Sequence, residues 1–163
     1  MYRGQDFPRF LPMIRQRPQA WAELKGNAFY PNIRGNVRFY QTRYGAIVVS
    51  EFSGLPQVTE SCRSPIFGFH IHEGNDCGGT PERPFANART HYNPSGCRHP
   101  YHAGDMPPIF GANGIAFSAF LTDRFRVDEI VGRTVILHDA PDDFTTQPSG
   151  NAGAMIACGV VRR

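Results

Sequence analysis

An all-β domain is predicted by three features of the chain: short apolar runs that alternate with period two, abundant turn formers, and no long helical period. Gly 17 and Pro 14 are high counts for 163 residues, and both interrupt helices and populate turns. About eight alternating runs suit antiparallel strands in a Greek-key β-sandwich or flattened barrel with two long functional loops. The length suits one core, so residues 20–163 are read as the domain and residues 1–19 as an irregular N-terminal arm.

The arm carries four arginines and three prolines without helical periodicity. Its Phe7, Phe10, Leu11 and Ile14 are available to pack on the domain or on a partner chain. In residues 20–25, Ala20, Ala22 and Leu24 fall on one face and Trp21 and Glu23 on the other, as in a first strand. Residues 34–41 form a second strand with Val37 and Phe39 inward, and residues 46–52 a third. A polar loop carrying Cys62 leads to residues 66–73, a strand that holds His70 and His72. Residues 74–110 lack strong periodicity. Loops longer than about 12–15 residues are usually functional or disordered, and the Gly, Pro and His content here argues for function. Residues 115–121 alternate Ile115, Phe117, Ala119 and Leu121, with the phenylalanines of this region expected in the core. Residues 132–138 are a strand that ends on His138. Residues 139–154 form a second long loop, and residues 155–161 a closing strand.

The histidines carry the chemistry. Five of the six lie between positions 70 and 105, and the sixth, His138, ends an apolar run. Imidazole is the commonest metal ligand. His70 and His72 are two apart on a strand, so both point to one face. His99, His102 and Asp105 sit in a Gly- and Pro-containing loop that can fold back to a single point. Nitrogens with one carboxylate suit tetrahedral zinc. A nitrogen-only set with an open position suits copper. Two four-coordinate sites need eight positions, and six His with Asp105 make seven residues. One imidazole would therefore serve two metals, and His91 is placed between the two groups.

Gly68-Phe69-His70-Ile71-His72-Glu73 is followed by His91-Tyr92-Asn93-Pro94, His102-Ala103-Gly104-Asp105, Gly150-Asn151-Ala152-Gly153 and Ala157-Cys158-Gly159-Val160. In order and spacing these segments resemble the copper/zinc superoxide dismutase family, from about Trp21 to Val161. The resemblance implies a β-sandwich fold and the conversion of superoxide to oxygen and hydrogen peroxide. It implies copper on His70, His72, His91 and His138, and zinc on His91, His99, His102 and Asp105. His91 would be both bridge and proton donor. Asp142 matches the carboxylate that links a copper His to a zinc His, and Cys77 with Cys158 matches the family disulfide. Met155 stands where the family has an arginine beside the open copper position, and with Ser149 it is placed in the substrate channel. That departure implies slower capture of superoxide with weaker salt dependence, unless Arg83, Arg89, Arg98 or Arg133 reaches the same space.

Charged residues are 19% of the chain and the net charge is +3. The basic residues are scattered, which excludes a nucleic-acid binder. No apolar run approaches the roughly 20 residues of a membrane span. No secretory leader is visible, so the expected location is the cytoplasm, with a periplasmic or secreted location only if a leader was already removed. Cys62 and Cys97 flank the histidine cluster as a candidate second disulfide or as two free thiols. The resemblance admits a homodimer, with the arm as one contact. A competing reading is a copper-binding or copper-buffering protein with weak or no turnover, which a soft thioether at Met155 would suit. A second is a structural sandwich that keeps zinc alone, against which all four copper positions are His.

Overall fold

The computed structural model describes residues 10–57 and 65–163. Nine strands make up the fold: β1 (Ala20–Gly26), β2 (Arg34–Thr42), β3 (Gly45–Ser53), β4 (Ile66–Phe67), β5 (Phe69–His72), β6 (Ile109–Phe110), β7 (Ile115–Thr122), β8 (Thr134–His138) and β9 (Met155–Val160). Seven form one antiparallel sheet in the order β5-β8-β9-β1-β2-β3-β7, and β4 pairs with β6 separately. The only α-helix among the described residues is one turn, Val127–Ile130. The all-β expectation holds, with sharper boundaries.

Alternation builds the core. The β1–β2 register pairs Ala20 with Phe39 and Ala22 with Val37. All four are fully buried, while Trp21 and Glu23 turn outward as expected. Inward residues of β3, β5, β8 and β9, including Phe52, Phe69, Ile71, Leu137 and Ile156, join the same apolar cluster. The sheet therefore wraps one interior, and the hydrophobic gain is concentrated there.

Two expectations are corrected. Residues 66–73 are not one strand. The chain breaks at Gly68, whose N–H donates to the Ala140 carbonyl and whose carbonyl accepts from His138 N–H, both at 2.8 Å. A Cβ there would stand 2.7 Å from the Ala152 Cβ, so only glycine lets the second long loop approach. The second correction concerns β7. Ile115, Phe117 and Leu121 face outward, with Phe117 66% exposed, while Ala116 turns inward. Each parity of this strand carries a phenylalanine, Phe117 in one row and Phe120 in the other, so alternation alone is ambiguous. Pairing decides it: Phe52 lies opposite Ala116 and Val48 opposite Phe120, which aligns the inward rows.

The described part of the arm packs on the domain. A 3-10 turn, Met13–Arg15, follows Phe10, and Phe10, Met13 and Ile14 cover Tyr40, Ile47 and Val49 on the outer sheet face. Leu11 is exposed. The expectations for Phe7 and for Cys62 fall outside the described residues, and Cys97 is exposed.

Candidate metal centre

Three chain segments bring the histidines together. β5 supplies His70 and His72, both buried. Tyr92 N–H donates to the Ile71 carbonyl at 2.8 Å and Ile71 N–H to the Gly104 carbonyl at 2.9 Å, so the first long loop lies along β5. That contact delivers His91, His102 and Asp105. β8 delivers His138 at a register shift between Leu137 and His138. Bulges of this kind re-aim side chains.

Two donor groups result. His70, His72, His91 and His138 form one, and His91, His99, His102 and Asp105 the other. Within each, one ligand atom per residue lies within 4.8 Å of the rest, and every member is buried. His91 belongs to both. The seven residues named from the sequence all converge.

Hydrogen bonds decide which nitrogen each ring presents. A carbonyl or carboxylate can only accept, so the nitrogen facing it carries the proton. His72 Nδ1 donates to the Arg89 carbonyl at 2.8 Å, and His138 Nδ1 to the Gly153 carbonyl at 3.3 Å. Their Nε2 atoms then face each other as lone pairs 3.4 Å apart. His70 Nε2 donates to Asp142 Oδ2 at 2.7 Å and His99 Nε2 to Asp142 Oδ1 at 2.9 Å. Both present Nδ1 instead. Asp142 thus joins one ring of each donor group and fixes two tautomers with one carboxylate. Gly150 permits this. It adopts φ 69°, and a Cβ there would collide with Asp142 and His99.

A test of metal fit follows from the atoms left over. His70 Nδ1, His91 Nε2, His99 Nδ1 and His102 Nδ1 are buried without a hydrogen-bond partner. Unpaired buried polar atoms are costly and rare. Four of them converging in one cluster match the lone-pair arrangement of metal ligands. The donor set therefore fits two metal ions.

Electrostatics agrees. Burial lowers the His72 pKa well below its ordinary value and lowers His138 to about 3, with neighbouring imidazoles pushing the same way. His70 is also lowered, by burial against the raising effect of Asp142. Burial works to raise the Asp142 carboxyl, yet hydrogen bonds from His70, Phe144 N–H and His99 hold it at about 2. The His70, His72 and His138 rings are thus held neutral, as metal ligation requires. For the metal-free protein, the unfolded chain takes up protons near pH 6.5 while the folded rings resist until much lower pH. The unfolded state then binds more protons between about pH 3 and 6.5, so stability falls on acidification across that window. Melting temperatures of chelator-treated protein should drop steadily from pH 7 to pH 4. A flat profile would contradict the neutral-ring assignment.

An open cleft of ≈ 900 Å³ reaches the first group, lined by His72, His91 and His138, with His102, Met155 and Ser149 also in its wall. Met155 also packs beside Ala88, Ile136 and Cys158. Cys77 and Cys158 are joined, tying the first loop to β9 across 81 residues. Of the four arginines considered from sequence, Arg83 and Arg89 line the cleft. Arg133 is committed elsewhere, stacked 3.9 Å above Tyr92 and donating to the Glu73 carbonyl. Arg98 is exposed and is not part of the cleft wall.

Other contributors were not legible beforehand. The carbonyls of Arg89 and Gly153 orient ligands, and Gln147 clamps the His99 backbone by bonds of 3.0 and 2.7 Å. No residue type marks a carbonyl as an acceptor. Arg89 does carry one conformational signal: φ 63°, ψ −142°, a region that suits glycine. Such strain costs roughly 1–3 kcal/mol and gathers at functional sites.

The fold and these donor groups define a β-sheet protein with two candidate metal-binding sets that have His91 in common. Residues 33–161 match the copper/zinc superoxide dismutase (SODC) family model. The chain is 31% identical to Cu-Zn superoxide dismutase 2 of Aquifex aeolicus (strain VF5), over 86% of this chain and 88% of that protein. It is 33% identical to Cu-Zn superoxide dismutase 1 of the same organism, over 86% and 89%. It is 31% identical to the Cu-Zn superoxide dismutase of Legionella pneumophila, over 78% and 77%. The chain belongs to the copper/zinc superoxide dismutase family, whose two metals suit the nitrogen and carboxylate donors found here.

Proposed function

We propose that this protein dismutates superoxide at a copper and zinc pair bridged by His91. The observation that carries this reading is His91 itself. Its Nδ1 lies 2.7 Å from Asp105 Oδ1, its Nε2 has no hydrogen-bond partner, and it belongs to both donor groups. His70, His72, His91 and His138 would hold copper, since an all-nitrogen set beside an open cleft suits it. His91, His99, His102 and Asp105 would hold zinc, with its single carboxylate. Copper, when bound, supplies one-electron oxidation and reduction of superoxide.

The protein's own residues do the rest. His91 Nε2 holds and releases a proton on the cleft side, and its Nδ1 faces Asp105, a member of the same donor group. Asp142 keeps His70 and His99 in fixed tautomers. Exclusion of bulk water by burial preserves these arrangements. Metal analysis and a dismutation assay on the same sample test the reading. Copper and zinc near one each with rapid superoxide loss would support it, and metal-loaded protein without turnover would overturn it. The second reading, copper buffering, is favoured by Met155 in the cleft wall. Stopped-flow decay of superoxide separates the two.

A homodimer belongs to the same proposal. Ile115 and Phe117 are 60% and 66% exposed on the sheet face whose other half is covered by the arm. A two-fold axis would place this patch against its own copy. Phe117→Glu should convert a dimer to a monomer in sedimentation velocity, and a wild type that is monomeric throughout would remove the dimer. Among the described residues no helix is long and apolar enough to cross a membrane. A cytoplasmic location is proposed with one support, the burial of Cys158, which shields the disulfide from reductants. Retention of the bridge in cell extracts prepared with thiol-blocking reagent tests it.

A further inference from the structure

We propose that Arg89 captures the anionic substrate, supplying from the copper-side wall of the cleft the fixed positive charge that Met155 does not. The inference rests on the dismutase reading above and names the residue that makes its site selective for a small anion.

Charge in the cleft comes first. Among the described residues that line it, the permanently cationic side chains are Arg83 and Arg89, set against Glu82 and Asp139. The loop that closes the far side, residues 139–154, holds three aspartates and no Lys or Arg. A superoxide ion entering this space therefore meets attraction from one wall only. Field focusing in a cleft acts through such asymmetry.

Position separates Arg89 from Arg83. The Arg89 carbonyl accepts the Nδ1–H of His72 at 2.8 Å, so its backbone is pinned to a ligand of the copper group. It also stands two residues before His91. Arg83 lies earlier in the loop, farther in sequence from His91 and in a turn with Thr80, and fits an outer steering role. Arg124, the other arginine near the metal loop, is spent on backbone carbonyls of residues 100, 102 and 105.

Conformation is the independent observation. Arg89 holds a backbone geometry that glycine would adopt without strain. A residue with a large, flexible, solvent-exposed side chain gains nothing for folding there. Among the described residues the side chain joins no apolar cluster. One acidic neighbour is the exposed Asp76, whose carboxyl is held low chiefly by Asn87 and Gly78 and in part by Arg89. Arg89 is thus an exposed residue of the cleft wall, held in a backbone geometry that costs stability to keep.

Azide, a small monovalent anion, is the probe, titrated into the copper- and zinc-loaded protein and read by the copper absorption spectrum. Wild type, Arg89→Gly, Arg89→Ala, Arg89→Lys and Arg83→Ala are compared at low and high ionic strength. At low ionic strength, Arg89→Gly and Arg89→Ala should weaken azide binding on the order of tenfold, with the difference shrinking as salt rises. Arg89→Lys keeps the charge and should retain most of the affinity, and Arg83→Ala should lose less than Arg89→Ala. Arg89→Gly should also melt at higher temperature than wild type, because it relieves the backbone, so its loss of affinity cannot come from misfolding. Unchanged azide affinity in Arg89→Gly and Arg89→Ala, with an unaltered copper spectrum, would overturn the proposal. Azide binding that depends on Arg89 in a protein without dismutation would sustain the anion site and overturn the dismutase reading instead.

Discussion

His91→Ala should abolish most of the activity and change both metal sites at once. In this protein the ring belongs to the all-nitrogen group and to the group with Asp105. Its two nitrogens face different partners: Nδ1 lies beside Asp105, and Nε2 is buried and unpaired. Alanine removes one ligand from each set and leaves a void between His70 and His102, which flank the ring at centroid distances of 3.9 and 5.5 Å. Loss of an outer-shell partner already costs about 10–100-fold in metal affinity or activity, so loss of a shared ligand should cost on the order of a hundredfold or more. The copper spectrum should change, and zinc content should fall alongside it. Identical copper spectra and zinc content in mutant and wild type would refute the bridge. A mutant affecting only one metal would reduce His91 to an ordinary ligand.

The second large effect is expected from opening the disulfide. Cys77→Ala should lower stability by at most about 4–5 kcal/mol, the chain-entropy value for a loop of this size. The bridge spans 81 residues and ties the first long loop to β9. For a protein of this length, 1 kcal/mol shifts the melting temperature by roughly 2–4 °C, so a drop on the order of 10 °C is expected. Alanine at position 77 leaves Cys158 as a buried thiol, which behaves as a small apolar side chain. The loop released is the one that carries Arg89 and His91, so metal retention should fall with stability. Wild type unfolded and refolded under reductant, with the bridge open, should melt near the mutant, and the same treatment should leave the mutant unchanged. Equal melting temperatures for the two proteins under oxidising conditions would count against a structural bridge.

The two effects are linked through residues 74–110. Few ladder hydrogen bonds hold this segment, so ligands, disulfide and contacts with β5 hold it instead. That places a dependence on metal in the same loop that lines the cleft. Partial loss of metal should therefore loosen substrate capture before the sheet unfolds.

Much of this protein was legible from its residues. Strand alternation placed Ala20, Ala22, Leu24, Val37 and Phe39 inside, because alternation is a local property of extended backbone. The spacing of His70 and His72, and the return of His99, His102 and Asp105 in a turn-rich loop, marked the residues that converge in the two donor groups, because donor type and short spacing are written locally. Other features were decided only in three dimensions. The orientation of β7 depended on pairing with β3, since each of its faces carries a phenylalanine. The tautomer of His72 depended on a carbonyl 17 residues away, and those of His70 and His99 on Asp142, 72 and 43 residues away. Which arginine faces the cleft was likewise a matter of where the loop runs and which carbonyls consume the others. Residue type and local period set what each segment can offer. Contacts between segments distant in the chain set which atom is offered, because hydrogen bonding and exclusion of water act on neighbours in space.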